Sequence, residues 1–146
     1  MDFLLQLKHG SISQSNLKWG DGMRVLIADD QADVRSALMI LLEQTDDDYK
    51  FEEAGDTASL FEKAEAFRPD IILLDWELSG NNMWDEVSGL RKLVSGCVII
   101  ALSCRPEAAR TAKAAGVDAF VSKGENSDIL LDTIQKVKNE TGLSAR

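Results

Sequence analysis

The stretch 68–80, RPDIILLDWELSG, decides the fold. Its run from Ile71 to Leu74 is apolar at every position, so it reads as a strand buried on both faces. Pro69 stops the chain just before the run, and Asp75 closes it with a carboxylate. With this run, DIILL (70–74), four other short runs recur along the chain: RVLIA (24–28), the more polar YKFEEA (49–54), CVIIAL (97–102) and DAFVS (118–122). Between them apolar residues recur three and four apart, as in Val34, Leu38, Leu41 and Leu42, or Leu60, Phe61, Ala64 and Phe67. That is the spacing of amphipathic helices. Asp56 or Thr57 is placed to cap the second helix, Gly116 to end the fourth, and Gly142 to follow the last. Five β-α units with largely apolar strands imply an α/β domain: a doubly wound, five-stranded parallel sheet with helices on both faces. In such folds ligands bind at the carboxyl ends of the strands, and Asp75 lies at such an end.

The chain of 146 residues is long enough for one domain with a sizeable core. Apolar residues make up 45% and charged residues 28%, the balance of a globular protein. A formal charge of −9 argues against nucleic acid as a direct ligand, because affinity for the phosphate backbone comes from basic patches. No apolar run approaches the roughly 20 residues that cross a bilayer. The opening MDFLLQLKHG lacks the basic and apolar regions of a secretory signal. The expected setting is therefore cytoplasmic, without membrane contact. Residues 1–22 read as a flexible N-terminal extension with a helical turn around Phe3 to Leu7, residues 23–142 as the domain, and 143–146 as a tail. Cys97 and Cys104 lack metal-site spacing and are expected to be two buried small hydrophobes. The one histidine, His9, precedes the domain, so a His base is not expected.

The residues that follow the strands form a short inventory. Asp29 and Asp30 follow the first, in VLIADDQADVRSAL; Asp75 follows the third; Ser103 follows the fourth, in VIIALSCRPE; Lys123 follows the fifth, in AFVSKGE. Each has a plain structural reading: the aspartates as loop acids, Asp33 or Ser103 as helix caps, Lys123 as a surface lysine. Their joint placement on one edge of a parallel sheet favours a shared cleft. Two carboxylates about 4 Å apart repel by roughly 4 kcal/mol at an effective dielectric near 20, and here there are three. One lysine cannot neutralise them. A hard divalent cation with oxygen ligands can, and Mg²⁺ (or Mn²⁺) suits one or two carboxylates completed by water and a phosphoryl oxygen. Beside such an ion Asp75 is a competent nucleophile toward phosphorus. The ion, Lys123 and the Ser103 hydroxyl would then hold the three phosphoryl oxygens.

In this order, an acidic pair after strand one, Asp after strand three, Ser after strand four and Lys after strand five, the motifs resemble the receiver domain of two-component response regulators. The likeness covers roughly Met23 to Glu140 and is closest in form to single-domain chemotaxis regulators. It implies a flavodoxin-like (βα)5 arrangement with strand order 2-1-3-4-5. It implies that Asp75 accepts a phosphoryl group from a histidine kinase or histidine phosphotransfer protein. Asp30, Asp75 and the backbone carbonyl of Glu77 match the metal ligands, with Asp29 acting through water. Ser103 matches the hydroxyl that moves toward the phosphoryl group, Lys123 its ion-pair partner, and Phe120 the aromatic coupled to that shift. Asp33, Val34, Ala37 and Gly124 match the surface that docks the phosphodonor. Helix four (Arg105 to Ala115), strand five and helix five match the signalling face, a surface for an unidentified protein target or a homodimer. The expected protein is a phosphoacceptor switch with self-catalysed phosphotransfer and slow autodephosphorylation, not a conventional enzyme.

Departures from the pattern are equally readable. Gly124 stands where the family usually has proline, which argues for a trans bond and a freer loop. Ser79 replaces a common proline four residues past Asp75, and SGNNMWDEVSG (79–89) reads as a long connection to the third helix. Both changes resemble receivers joined to helix-turn-helix domains, yet only TGLSAR follows the last helix, so a stand-alone receiver is expected. The Glu77 side chain is expected to reach the metal or Lys123, and with Arg105 to alter phosphoryl-group loss by crowding the attacking water. Two other readings compete. A haloacid-dehalogenase-type phosphatase uses the same parts, and DWELS even places an acid two residues after Asp75. There, however, the nucleophile leads and the acidic pair comes last. The other is a receiver-like binding module that acts without phosphorylation.

Overall fold

The computed structural model of the protein describes residues 22–80 and 82–142. The expected N-terminal extension, apart from Gly22, and the tail at 143–146 lie outside the described residues, as does Asn81. Strands and helices alternate throughout: β1 (Met23–Ala28), α1 (Ala32–Glu43), β2 (Tyr49–Ala54), α2 (Thr57–Phe67), β3 (Ile71–Asp75), α3 (Met83–Leu93), β4 (Val98–Ser103), α4 (Ala108–Ala114), β5 (Ala119–Ser122) and α5 (Ser127–Thr141). The strands form one parallel sheet in the order β2-β1-β3-β4-β5. The order reverses between β1 and β3, so the carboxyl ends of these two strands flank the crevice where doubly wound folds bind ligands.

Successive strand residues face opposite sides of the sheet, and two cores result. Leu26, Ile72, Leu74 and Ile99 pack under α2, α3 and α4, through Leu60, Val87, Leu90 and Ala112. Val25, Ile27, Ile71, Leu73 and Ile100 pack under α1 and α5, through Leu42, Leu130, Ile134 and Val137. All five residues of β3 are buried, as its apolar run requires. The edge strand β2 is the exception, with Lys50 exposed and only Ala54 buried. Phe61 on α2 comes so close to Gly89 on α3 that an added Cβ would lie 3.0 Å from its ring.

The helix ends follow their sequence signals. Asp56 caps α2 by accepting from the Ser59 N–H at 2.8 Å. Gly142 ends α5 in the left-handed conformation at φ 81°. Gly116, at φ 105°, follows the Ala115 cap of α4. Asp33 is not a cap: it lies in the first turn of α1, whose cap position is Gln31. Two helix starts differ from expectation. α3 begins at Met83, inside the stretch read as a long connection, because Asn82 caps it by accepting from the Asp85 N–H. α4 begins at Ala108 rather than Arg105, because residues 105–107 form a tight turn with Ala108 N–H donating to the Arg105 carbonyl at 2.9 Å.

Far from the crevice, Lys138 on α5 is buried and donates to Asp47 at 2.9 Å, beside the Tyr49 ring. Partial burial pushes the Asp47 carboxyl up, but bonds and charge from Lys138, helped by Gln135 and Tyr49, outweigh it and hold the group below its ordinary value. A lowered folded value contributes stability above the ordinary aspartate range and loses it as pH falls through the lowered value. Asp47→Asn should therefore cost about 1–2 kcal/mol at neutral pH, since it leaves a buried ammonium short of its counter-charge. Urea unfolding should show that deficit shrinking as pH drops below the aspartate range. A pH-independent deficit would rule the charge pair out as its cause.

Candidate functional site

Asp75 and Ser103 are the last residues of β3 and β4, not the first residues beyond them as expected. Their backbones therefore keep the strand pairing. Parallel register sets Asp75 opposite Leu102, and the Trp76 N–H donates to the Leu102 carbonyl at 2.8 Å. Ordered hydrogen bonding up to the tip fixes where the carboxylate points from. Asp29, just past β1, donates its N–H to the Ala54 carbonyl at 3.0 Å, and its Oδ1 accepts from the Gln31 N–H at 2.9 Å. Lys123, just past β5, donates its N–H to the Ser103 carbonyl at 2.8 Å.

Three of these tips, those of β1, β3 and β5, bring four of the expected groups together. Asp29, Asp30 and Asp75 each offer a carboxylate oxygen, and these atoms lie within 4.8 Å of one another. Asp29 and Asp75 are buried, at 1% and 5% exposure, while Asp30 faces solvent. Lys123 Nζ lies 2.7 Å from Asp29 Oδ2 and 3.4 Å from Asp75 Oδ1. Burial pushes the Asp75 carboxyl up, with the Asp29 charge adding to that; the Glu77 N–H and Lys123 pull the other way and do not cancel it. For Lys123, burial lowers the ammonium, yet the Asp29 hydrogen bond and both aspartate charges outweigh it and raise it. Three carboxylates against one ammonium leave an excess of negative charge in a partly buried pocket. An all-oxygen, hard donor set of this kind fits Mg²⁺.

The other expected residues are placed as follows. The Ser103 hydroxyl is fully buried and donates to Glu77 Oε2 at 2.8 Å. Of the two partners expected for the Glu77 side chain, the metal or Lys123, it does not bond the lysine; it takes the Ser103 hydroxyl and the Arg105 guanidinium, at 3.0 Å, because both stand on the β4 side of its loop. The Glu77 carbonyl accepts from the Gly80 N–H at 3.2 Å and keeps its second lone pair. Phe120 is half-buried on β5 against the core under α4. Gly124 follows Lys123 in a trans peptide, with its N–H donating to Ser122 Oγ at 3.4 Å. Asp33, Val34 and Ala37 line a groove of about 470 Å³ between α1 and the β5–α5 loop, together with Leu38, Lys123 and Leu130. Cys104 lines it too and is exposed, contrary to the buried reading, because β4 ends at Ser103; Cys97 is buried, which pushes its thiol up to about 12.

Arg35 was not singled out in the sequence. Its Nη1 donates to the Asp29 carbonyl at 2.7 Å and its Nε pairs with Glu53 at 2.8 Å. Nothing local distinguishes it from any surface arginine on a helix; only the fold brings β2 beside it.

That sheet order and that lysine-closed acidic rim define a flavodoxin-like domain of the receiver type. Residues 25–135 match the response regulator receiver domain, and the chain belongs to that family, a component of two-component signalling. It is 32% identical over 118 residues to the sensory transduction protein LytT of Bacillus subtilis, covering 80% of this chain and 48% of that protein. The chain spans about half the length of the curated relatives it matches. Among solved structures, chemotaxis protein CheY4 of Vibrio cholerae aligns with a TM-score of 0.69 at 27% identity, over 80% of this chain and 98% of that one. A CheY-like receiver domain protein from Methanospirillum hungatei aligns with a TM-score of 0.73 at 24% identity, over 85% and 99%, and shares the fold. Among the described residues no helix is long and apolar enough to cross a membrane.

Trp76 follows Asp75 in the chain and is 6% exposed, which makes its indole a probe placed next to the site. Adding Mg²⁺ should change tryptophan fluorescence, and Asp75→Asn should largely remove the response. An unchanged response in that variant would place the ion elsewhere.

Proposed function

We propose that this chain is a phosphoacceptor switch in which Asp75 receives a phosphoryl group from the phosphohistidine of a histidine kinase or histidine phosphotransfer protein. An Asp75 carboxylate oxygen attacks phosphorus, a P–O bond forms, the P–N bond breaks, and the imidazole leaves with a proton. Asp30, Asp75 and the Glu77 carbonyl would hold Mg²⁺ (or Mn²⁺), with Asp29 acting through water; the ion would supply positive charge that offsets the crowded oxygens. Lys123 pairs with the incoming phosphoryl group, and its raised proton affinity keeps it charged for that task. Water attack on the same phosphorus resets Asp75 slowly. The observation that supports this reading is the convergence of Asp29, Asp30, Asp75 and Lys123 on one rim at the switch point of the sheet.

The same geometry supports a reading of docking and output. The groove containing Asp33, Val34 and Ala37 opens beside Lys123, so a helix-borne phosphohistidine seated there, with Gly124 at its edge, would face the pocket. Ser103 and Phe120 carry the change to α4, β5 and α5, the face for a downstream protein or a second copy. Phosphotransfer from a panel of phosphorylated histidine kinases and phosphotransfer proteins tests the reading. Transfer from at least one donor, absent in Asp75→Asn, supports it. If neither those donors nor acetyl phosphate label Asp75, the chain is a phosphorylation-independent binding module.

A further inference from the structure

Glu77 makes a contact that the phosphoacceptor reading does not require. Its Oε2 accepts the Ser103 hydroxyl at 2.8 Å and two bonds from Arg105, from Nη2 at 3.0 Å and Nε at 3.3 Å. The same Ser103 oxygen accepts from the Arg105 N–H at 3.0 Å. Four polar partners thus close a ring between the β3–α3 and β4–α4 loops. A serine hydroxyl has a single proton to donate. While that proton points at Glu77 it is unavailable to an oxygen bound at Asp75.

Resting on the reading of Asp75 as phosphoacceptor, we propose that Glu77 is a positioning residue that competes with the phosphoryl group for the Ser103 hydroxyl. Glu77 and Arg105 together latch the hydroxyl in the resting protein. Phosphorylation transfers the hydrogen bond from a carboxylate oxygen to a phosphoryl oxygen and releases Glu77 to Arg105 alone. The latch also links the two loops that frame the pocket, so its opening frees the β4–α4 connection, residues 104–107, ahead of α4. Charge repulsion between Glu77 and a bound anion would oppose binding as well, so the two effects must be separated. They differ in one respect: only the latch acts through Ser103.

Beryllium fluoride with Mg²⁺, a non-hydrolysing mimic of the phosphoryl group, is titrated into the full chain and followed by tryptophan fluorescence, with Trp76 beside the pocket and Trp19 and Trp84 as background. Glu77→Ala and Glu77→Gln are compared with wild type, each also in a Ser103→Ala background. The carboxylate's loss should tighten beryllium fluoride binding about tenfold, the scale of one hydrogen bond to a charged group. Glu77→Gln, which keeps a weaker acceptor, should fall between. In the Ser103→Ala background the gain from Glu77→Ala should collapse to less than about twofold. A gain that persists undiminished without Ser103 would overturn the latch and leave plain charge repulsion. Equal affinities of wild type and Glu77→Ala would overturn it too. A wild-type protein that binds no beryllium fluoride, and takes no label from acetyl phosphate, fails at the earlier step, the phosphoacceptor reading itself.

Discussion

Asp75→Asn should abolish covalent labelling by acetyl phosphate. Intact mass spectrometry of wild-type protein in Mg²⁺ should show one added phosphoryl group, and the variant none. The substitution is close to isosteric, and the asparagine oxygen still accepts from the Glu77 N–H that now meets Asp75 Oδ1 at 3.1 Å. What disappears is the anionic oxygen that attacks phosphorus, along with one third of the pocket's acidic charge. The loss should therefore be complete while the fold persists. Labelling at undiminished stoichiometry in Asp75→Asn would move the acceptor to another residue and sink the assignment. The variant should also be somewhat more stable than wild type without metal, since one of three mutually repelling carboxylates has become neutral.

Lys123→Met should have the opposite effect on stability. Its ammonium is the 2.7 Å partner of Asp29, which is 1% exposed. Removing one member of a buried pair typically costs about 3–5 kcal/mol. Asp75 at 3.4 Å loses the same cation, and the three carboxylates then face each other uncompensated. We expect a loss of about 3 kcal/mol, roughly 10 °C in Tm for a chain of this length. Millimolar Mg²⁺ should recover more stability in the variant than in wild type, because the ion offsets charge that Lys123 otherwise offsets. Thermal unfolding with and without Mg²⁺ reads both effects. A variant that matches wild type without metal would show that the ion pair contributes nothing to the resting fold.

Much of this pocket was legible because its parts sit at places where sequence signals are strong. Ile71 to Leu74 lacks polar residues, and burial on both faces follows directly. Asp75 stands out because an acid ends such a run. The order β2-β1-β3-β4-β5 could not come from periodicity, which says nothing about which strands are neighbours; it came from the resemblance and holds. What escaped was set by side-chain geometry between loops. Glu77 was expected to reach the metal or Lys123, and only the folded geometry shows that Asp29 and Asp75 already hold that lysine while Glu77 pairs with Arg105. Cys104 looked buried because the apolar run beside it is, and a single residue of strand length decided otherwise. The start of α3 was hidden by Gly80 and two asparagines, residues of loops that also cap helices.

Arg35 carries a consequence for how far mutational sensitivity extends. Its guanidinium hangs the Asp29 carbonyl from Glu53, a residue of the outermost strand. The inner wall of the crevice is thus suspended from the margin of the sheet. A strand that contributes none of the pocket's acids still governs how firmly the first of them is held, and charge reversal at Glu53 acts on it without touching the rim.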